Sequence, residues 1–266
     1  KAISGGVMQS NADIVYFQHA TTPLSSQNGS AAGFAQDDQI RLSNTFVNFM
    51  QTRNDPRLPI LAARKSDGSN KYIDLKGLPN GLDANLLLQL TGENDTNDYA
   101  EPSAILKNLG APMFWQTYAE VEFMLAEAAE RWGFSGGDPE PHYNAGVRAA
   151  MKMLEIYGSE AVIDDTDIDA YLLANPFDAA NAIEQINTQY WAATFLNDYE
   201  SYSNWRRSGY PVLTPVNYPG NATNGTIPRR MTWDESEKTN NTTNYNAAVL
   251  AQGANILTTR IWWDTE

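Results

Sequence analysis

The chain has 266 residues, enough for one large or two small domains, and 42% of them are apolar, so a sizeable core is possible. Eighteen basic residues against 32 acidic ones give a formal net charge of −14, which excludes a phosphate-backbone binder and disfavours docking on anionic lipid. There is no cysteine and there are two histidines, His19 and His142, which excludes thiol nucleophiles, disulfides, iron–sulfur clusters and a multi-histidine metal site within the chain.

No apolar run approaches the ~18–20 residues of a membrane span. The opening Lys1-Ala2-Ile3-Ser4-Gly5-Gly6 lacks a signal-peptide apolar region, so any targeting segment is expected to be absent from this chain. Tyrosine (13) and tryptophan (7) are plentiful while charged residues make up only 19%, leaving a surface of neutral amides and hydroxyls. Such a surface suits polyhydroxylated ligands, because aromatic faces stack on sugar C–H groups and amides bond hydroxyls.

In chain order, residues 1–40 are expected to be loop and turn, with Thr21-Thr22-Pro23 and Gln27-Asn28-Gly29-Ser30 as turn signals. A short helix is expected near Ser43–Gln51, ended by Asn54-Asp55-Pro56. Leu58–Ala63 reads as a short strand or extended piece, and residues 66–104 as irregular. The clearest periodicity predicts a helix over Met113–Gly133, from the spacing of Tyr118, Val121, Glu122, Leu125, Ala129 and Trp132. Gly133 should stop it, and Asp138-Pro139 should open a second helix with Tyr143, Val147, Ala150, Met151 and Leu154 on one face. Further helices are expected over Ile168–Ala174 and within 178–208, ended by Gly209 and Pro211. The fold class is therefore mainly α: TPR-like helix pairs with long loop-rich segments and little strand. The expected organisation is a loop-rich segment with short helices over 1–112, TPR-like helical pairs over 113–211 and an irregular segment over 212–266 that packs on them. Together they form one domain, part of a longer chain, because such units need about three repeats to stand alone.

Few motifs carry chemistry. Gly133-Phe134-Ser135-Gly136-Gly137 matches G-x-S-x-G, but that elbow needs a strand before the serine, and a helix–helix turn explains every residue. Asp165-Thr166-Asp167-Ile168-Asp169 copies the start of a calcium loop, then fails at Ala170 and Pro176. Glu93, Asp95, Asn97, Asp98 and Glu101 form an acidic run that reads as a solvated loop. Glu122 lies in an apolar stripe and needs a partner, for which Arg148, Arg206 and Arg207 are available. No catalytic residue, metal or cofactor is expected. Trp132, Trp191 and Trp205 read as core. Trp115, at the start of the long helix, and Tyr72 and Tyr99, on irregular segments, are the candidate ligand-stacking residues.

Several segments, in order, resemble one family. Tyr118-Ala119-Glu120-Val121-Glu122-Phe123-Met124-Leu125-Ala126-Glu127-Ala128 is similar to the signature helix of SusD/RagB-like proteins, within the SusD-like lipoprotein subgroup. So are Asn54-Asp55-Pro56-Arg57-Leu58, Asn144-Ala145-Gly146-Val147-Arg148, Trp205-Arg206-Arg207-Ser208-Gly209-Tyr210-Pro211, Ile227-Pro228-Arg229-Arg230 and Trp262-Trp263-Asp264. The resemblance implies the C-terminal portion of an outer-membrane, cell-surface lipoprotein, anchored by lipid outside this chain. It implies an oligosaccharide-binding protein, not an enzyme, that hands its ligand to a SusC-like TonB-dependent transporter. A peptide-binding member, a TPR-like interaction scaffold and a helical glycoside hydrolase are the alternatives. The shared motifs are expected to be structural, with Arg206 and Arg207 bonding carbonyls and carboxylates in fixed fork geometry.

Overall fold

The computed structural model describes residues 2–264. After a one-turn helix, α1 (Ala2–Gly5), come β1 (Val15–Gln18), α2 (Gly29–Gln36), α3 (Asn44–Thr52), α4 (Leu58–Leu61), β2 (Ala62–Arg64), α5 (Ala84–Thr91), β3 (Ala100–Pro102) and β4 (Pro112–Gln116). The helical half holds α6 (Tyr118–Trp132), α7 (Glu140–Lys152), α8 (Asp165–Ala174), α9 (Ala182–Ala193) and α10 (Asp198–Ser208). A long irregular stretch then leads to α11 (Glu235–Asn240) and α12 (Thr242–Gln252). β1 pairs antiparallel with β4, and β2 with β3. The fold is mainly α, as the periodicity predicts.

Local chemistry sets the helix ends. Thr117 caps α6 in a reciprocal box: its hydroxyl accepts from the Glu120 N–H, while the Glu120 carboxylate accepts from the Thr117 N–H at 2.7 Å. Gly133 closes α6 in the left-handed conformation (φ 67°). The helix therefore starts later than expected. Met113 to Gln116 run as strand, and Trp115 sits on β4 instead of a helix end.

The core forms where α6 packs on α7 and α9, and α10 packs on α9. Phe123, Tyr143, Val147, Met151, Ile168 and Ile186 are almost wholly buried, each contributing roughly 1.5–3 kcal/mol. α6 and α7 approach closely because position 146 is glycine: a Cβ there would lie 2.7 Å from the buried Phe123 ring. The stretch 211–234 lies partly against Gly81, where φ is +69° and a Cβ would strike Val216.

Other expectations are corrected. The piece from Leu58 begins as a helical turn and becomes strand only at Ala62. α5, within a stretch read as irregular, is held by Asp83 at its N-cap and left-handed Gly92 at its C-cap. β1 and α2 interrupt the expected loop at 1–40, and α11 and α12 interrupt the expected irregular C-terminal region. Trp132, read as core, is exposed in the last turn of α6.

Candidate functional site

The shared motifs meet as structure. Glu127, on α6, is buried and grips Arg207 of α10 through two 2.7 Å bonds, with Arg131 donating at 2.6 Å. The partner of Glu122 is none of the expected arginines but His142, whose Nδ1 lies 2.6 Å from the carboxylate. Arg206 donates to the Arg229 carbonyl at 2.9 Å and lies between the Tyr202 and Trp263 rings. Arg229 in turn grips buried Asp264, donating from Nε at 2.7 Å. Each acidic run is paired in part: Lys65 and Lys107 flank Glu101, and Arg148 reaches Asp165 and Asp169. Among the described residues no group of His, Asp and Glu is arranged to hold a metal. Gly133–Gly137 is a turn between two helices, with no strand before Ser135.

The three candidate aromatics go to three places. Trp115 is 64% exposed on the β1–β4 ribbon, near Phe17 and Met113, which pair across the ladder and are also exposed. Tyr72 is half-buried, and its hydroxyl donates to the Asp55 carbonyl. Tyr99 is fully buried, with the Lys76 ammonium 4.4 Å from its ring centroid. The expectation of an exposed Tyr99 is corrected, since Tyr99 offers no face to a ligand. No described cavity brings two of the three together.

A cavity of about 660 Å³ lies between α3 and α9, within the range of small-molecule sites. Each helix presents a stripe at i, i+3, i+4 and i+7 or close to it. On α3 these are Thr45, Asn48, Phe49 and Thr52; on α9, Glu184, Gln185, Thr188 and Trp191. The opposite face of α3 carries the buried Phe46, Val47 and Met50, so burial of that face turns the polar stripe outward. Trp191 meets Phe49 edge-on at 5.7 Å, and the Arg53 guanidinium lies 4.3 Å from the Phe49 centroid. The side chains of Thr45, Asn48 and Thr188 make no hydrogen bond among the described residues, so their donors and acceptors are free for a ligand.

A buried network holds the cavity floor. The Arg57 guanidinium bonds both oxygens of Asp55, at 2.6 and 2.9 Å, and donates to Gln189 Oε1 at 3.0 Å. Gln189 then donates to the Tyr171 hydroxyl at 2.8 Å. Arg57 and Asp55 are 2% and 0% exposed, so this pair is fixed by loss of solvent as much as by geometry. Burial pushes the floor hydroxyl of Tyr143 up to about 12, so it stays protonated at neutral pH. At the rim, hydrogen bonds from Asn181 and the Ala180 N–H hold the Asp178 carboxyl below its ordinary value.

Sequence reading missed this cleft. By sequence Trp191 reads as core, and neither Phe49 nor Arg53 stands out as a candidate. The polar stripes on α3 and α9 were the available signal.

An open cleft with aromatic walls, unpaired neutral polar groups and a rigid floor, on a helical scaffold, has the shape and chemistry that suit a small molecule or an oligomer. Over residues 1–234 the sequence matches the SusD-like family described as "Starch-binding associating with outer membrane", and the chain belongs to that family. A solved structure named as a chitin-binding protein is 32% identical, with a TM-score of 0.86 over 99% of this chain. A chitin-binding SusD homologue from Flavobacterium johnsoniae is 25% identical, with a TM-score of 0.73 over 98% of this chain. A SusD homologue from Bacteroides thetaiotaomicron, 24% identical with a TM-score of 0.73 over 99% of this chain, shares the fold. The chain spans 58%, 56% and 59% of the lengths of these three relatives. No curated protein sequence matches it. No helix among the described residues is long and apolar enough to cross a membrane.

Proposed function

We propose that this chain is the glycan-binding part of an outer-membrane-associated surface protein. It takes an oligosaccharide of N-acetylated, β-linked glucose units into the α3–α9 cleft, without catalysis. It passes the ligand to a SusC-like TonB-dependent transporter. The 32% identity to a chitin-binding protein across nearly the whole chain carries the choice of sugar. The cleft supports it: Phe49 and Trp191 supply ring surface for sugar C–H faces, and Asn48, Thr45 and Thr188 supply bonds for hydroxyl and acetamido groups. Trp115 enters the reading as an outlying platform for the polymer.

Calorimetric titration with N-acetylchitooligosaccharides tests this. The dimer should bind, and Asn48→Ala should weaken it roughly two- to tenfold, the worth of one hydrogen bond of about 0.5–1.5 kcal/mol. Trp191→Ala should weaken it further. Trp115→Ala should leave dimer affinity unchanged but reduce retention on insoluble chitin. Binding of peptides and of no oligosaccharide would overturn the reading.

A further inference from the structure

The α3–α9 cleft has a neighbour. A second cleft, of about 590 Å³, is lined on one side by Pro56, Pro59, Ile60 and Tyr72. Its other side is α8, which presents Asp167, Ala170, Tyr171 and Ala174 at i, i+3, i+4 and i+7. Both clefts are lined by Arg53 and Tyr171. Arg53 thus stands as a saddle between them.

Three observations make the two clefts one device. The first is the state of Arg53. Its Nη1 bonds the Phe49 carbonyl and the Thr52 hydroxyl, both at 3.3 Å, while Nε and Nη2 have no acceptor among the described residues. A half-buried guanidinium with donors to spare suits hydroxyl or acyl oxygens passing over it. The second is a common anchor. The side chain of Asp55 holds Arg57, and through it Gln189 and Tyr171 on the first floor. The backbone carbonyl of the same Asp55 accepts the Tyr72 hydroxyl that fixes the ring in the second cleft. The third is size, since either cleft alone falls in the range that encloses a compact ligand.

We infer that the two clefts form a single groove and that the ligand is an extended linear oligosaccharide crossing Arg53, with sugar units on both sides. This deepens, and rests on, the glycan reading above. Phe49 and Trp191 receive one end of the chain, and Tyr72 with Pro56 and Pro59 receives the other. Arg53 is a positioning residue for the middle of the chain.

The test is a chain-length series on the protein and on Ala174→Trp, with Ala170→Trp as the second variant. Both alanines are exposed, one turn apart on α8, so a tryptophan there fills the second cleft without entering the core. The N-acetylchitohexaose probe should bind the unaltered protein at least about tenfold tighter than the dimer, beyond the statistical gain from its extra registers. Either folded tryptophan variant, checked by circular dichroism, should bind the dimer as before and lose that excess. Equal affinity for dimer and hexamer, or an excess that survives both variants, overturns the groove and leaves the glycan reading standing. Failure of every chain length to bind overturns the glycan reading and the groove with it.

Discussion

Glu127 carries two opposing effects in one carboxyl. Burial raises its pKa, but hydrogen bonds and charge from Arg207 and Arg131 outweigh burial, and the net position is below the ordinary 4.5. A carboxyl depressed on folding contributes stability that is present above the unfolded pKa and lost as pH falls through the folded one. Glu127→Gln should therefore cost about 2–3 kcal/mol at neutral pH, short of the ~3–5 for a wholly buried pair because Arg207 is 46% exposed. The gap from the unaltered protein should close as pH drops below 4.5. Urea melts across that range measure it, and a constant gap would show that shape, not charge, holds the two helices. Glu120 has the opposite sign, since burial keeps its carboxyl above the ordinary value despite the bonds from Thr117. Its charge opposes folding at neutral pH, so acid relieves there what it takes away at Glu127.

Between elements, the α6–α7 contact depends on the missing side chain at position 146. Gly146→Ala gains helix propensity of roughly 1 kcal/mol. It also drives a methyl to 2.7 Å from Phe123, which is 1% exposed and has nowhere to move. Overpacking of this kind costs about 1–3 kcal/mol, so the variant should be destabilised on balance, by up to about 2 kcal/mol. A thermal melt showing a raised Tm would contradict the close approach. The same elements explain what the sequence made legible. The helices α6 and α7 each bury a face, and α6 and α10 end on the left-handed glycines Gly133 and Gly209, so period, stop signal or both marked each of them. α12 buries no residue, and all four residues of β1 are exposed, so neither carries a pattern of burial to read. α5 had its signal in Asp83 and Gly92, but it is short and only Leu87 is buried. The candidate cleft was hidden for a related reason. Its rings are half-buried, Trp191 against Phe46 and Phe49, and a half-buried ring on a helix reads as core.

At the scale of the molecule, segments far apart in sequence close on one another. Asp55 and Arg57 support the cleft floor from the first half of the chain, and Gln189 and Tyr171 complete it from the second. The motif spacing identified the family without indicating that one of its pieces, Asn54-Asp55-Pro56-Arg57-Leu58, would underlie the cleft. That link exists only in three dimensions, where a buried arginine must find acceptors wherever the fold brings them.

The clasp formed by Arg206, Arg229 and Asp264 has a consequence for the integrity of the molecule. Residues 211–234 hold no helix or strand, the kind of exposed path that proteases select. Yet the near end of that path is tied to its far end: Tyr202 donates to the Pro228 carbonyl at 2.6 Å, Arg206 donates to the Arg229 carbonyl at 2.9 Å, and Arg229, held by Asp264 within the far segment, donates back to the Arg206 carbonyl at 2.8 Å. Midway, Tyr218 donates to Asp83 at 2.6 Å. A single cut between Val212 and Ile227 should sever the polypeptide without dividing the particle. The two fragments should run apart on a denaturing gel and elute together at the intact size in native chromatography. With Arg206→Ala, which removes the bond to the Arg229 carbonyl and the contact with the Trp263 ring across the cut, the same cut should release the C-terminal fragment. Covalent continuity through this stretch is then dispensable once folding is complete, because the arginine clasp does the work of the chain.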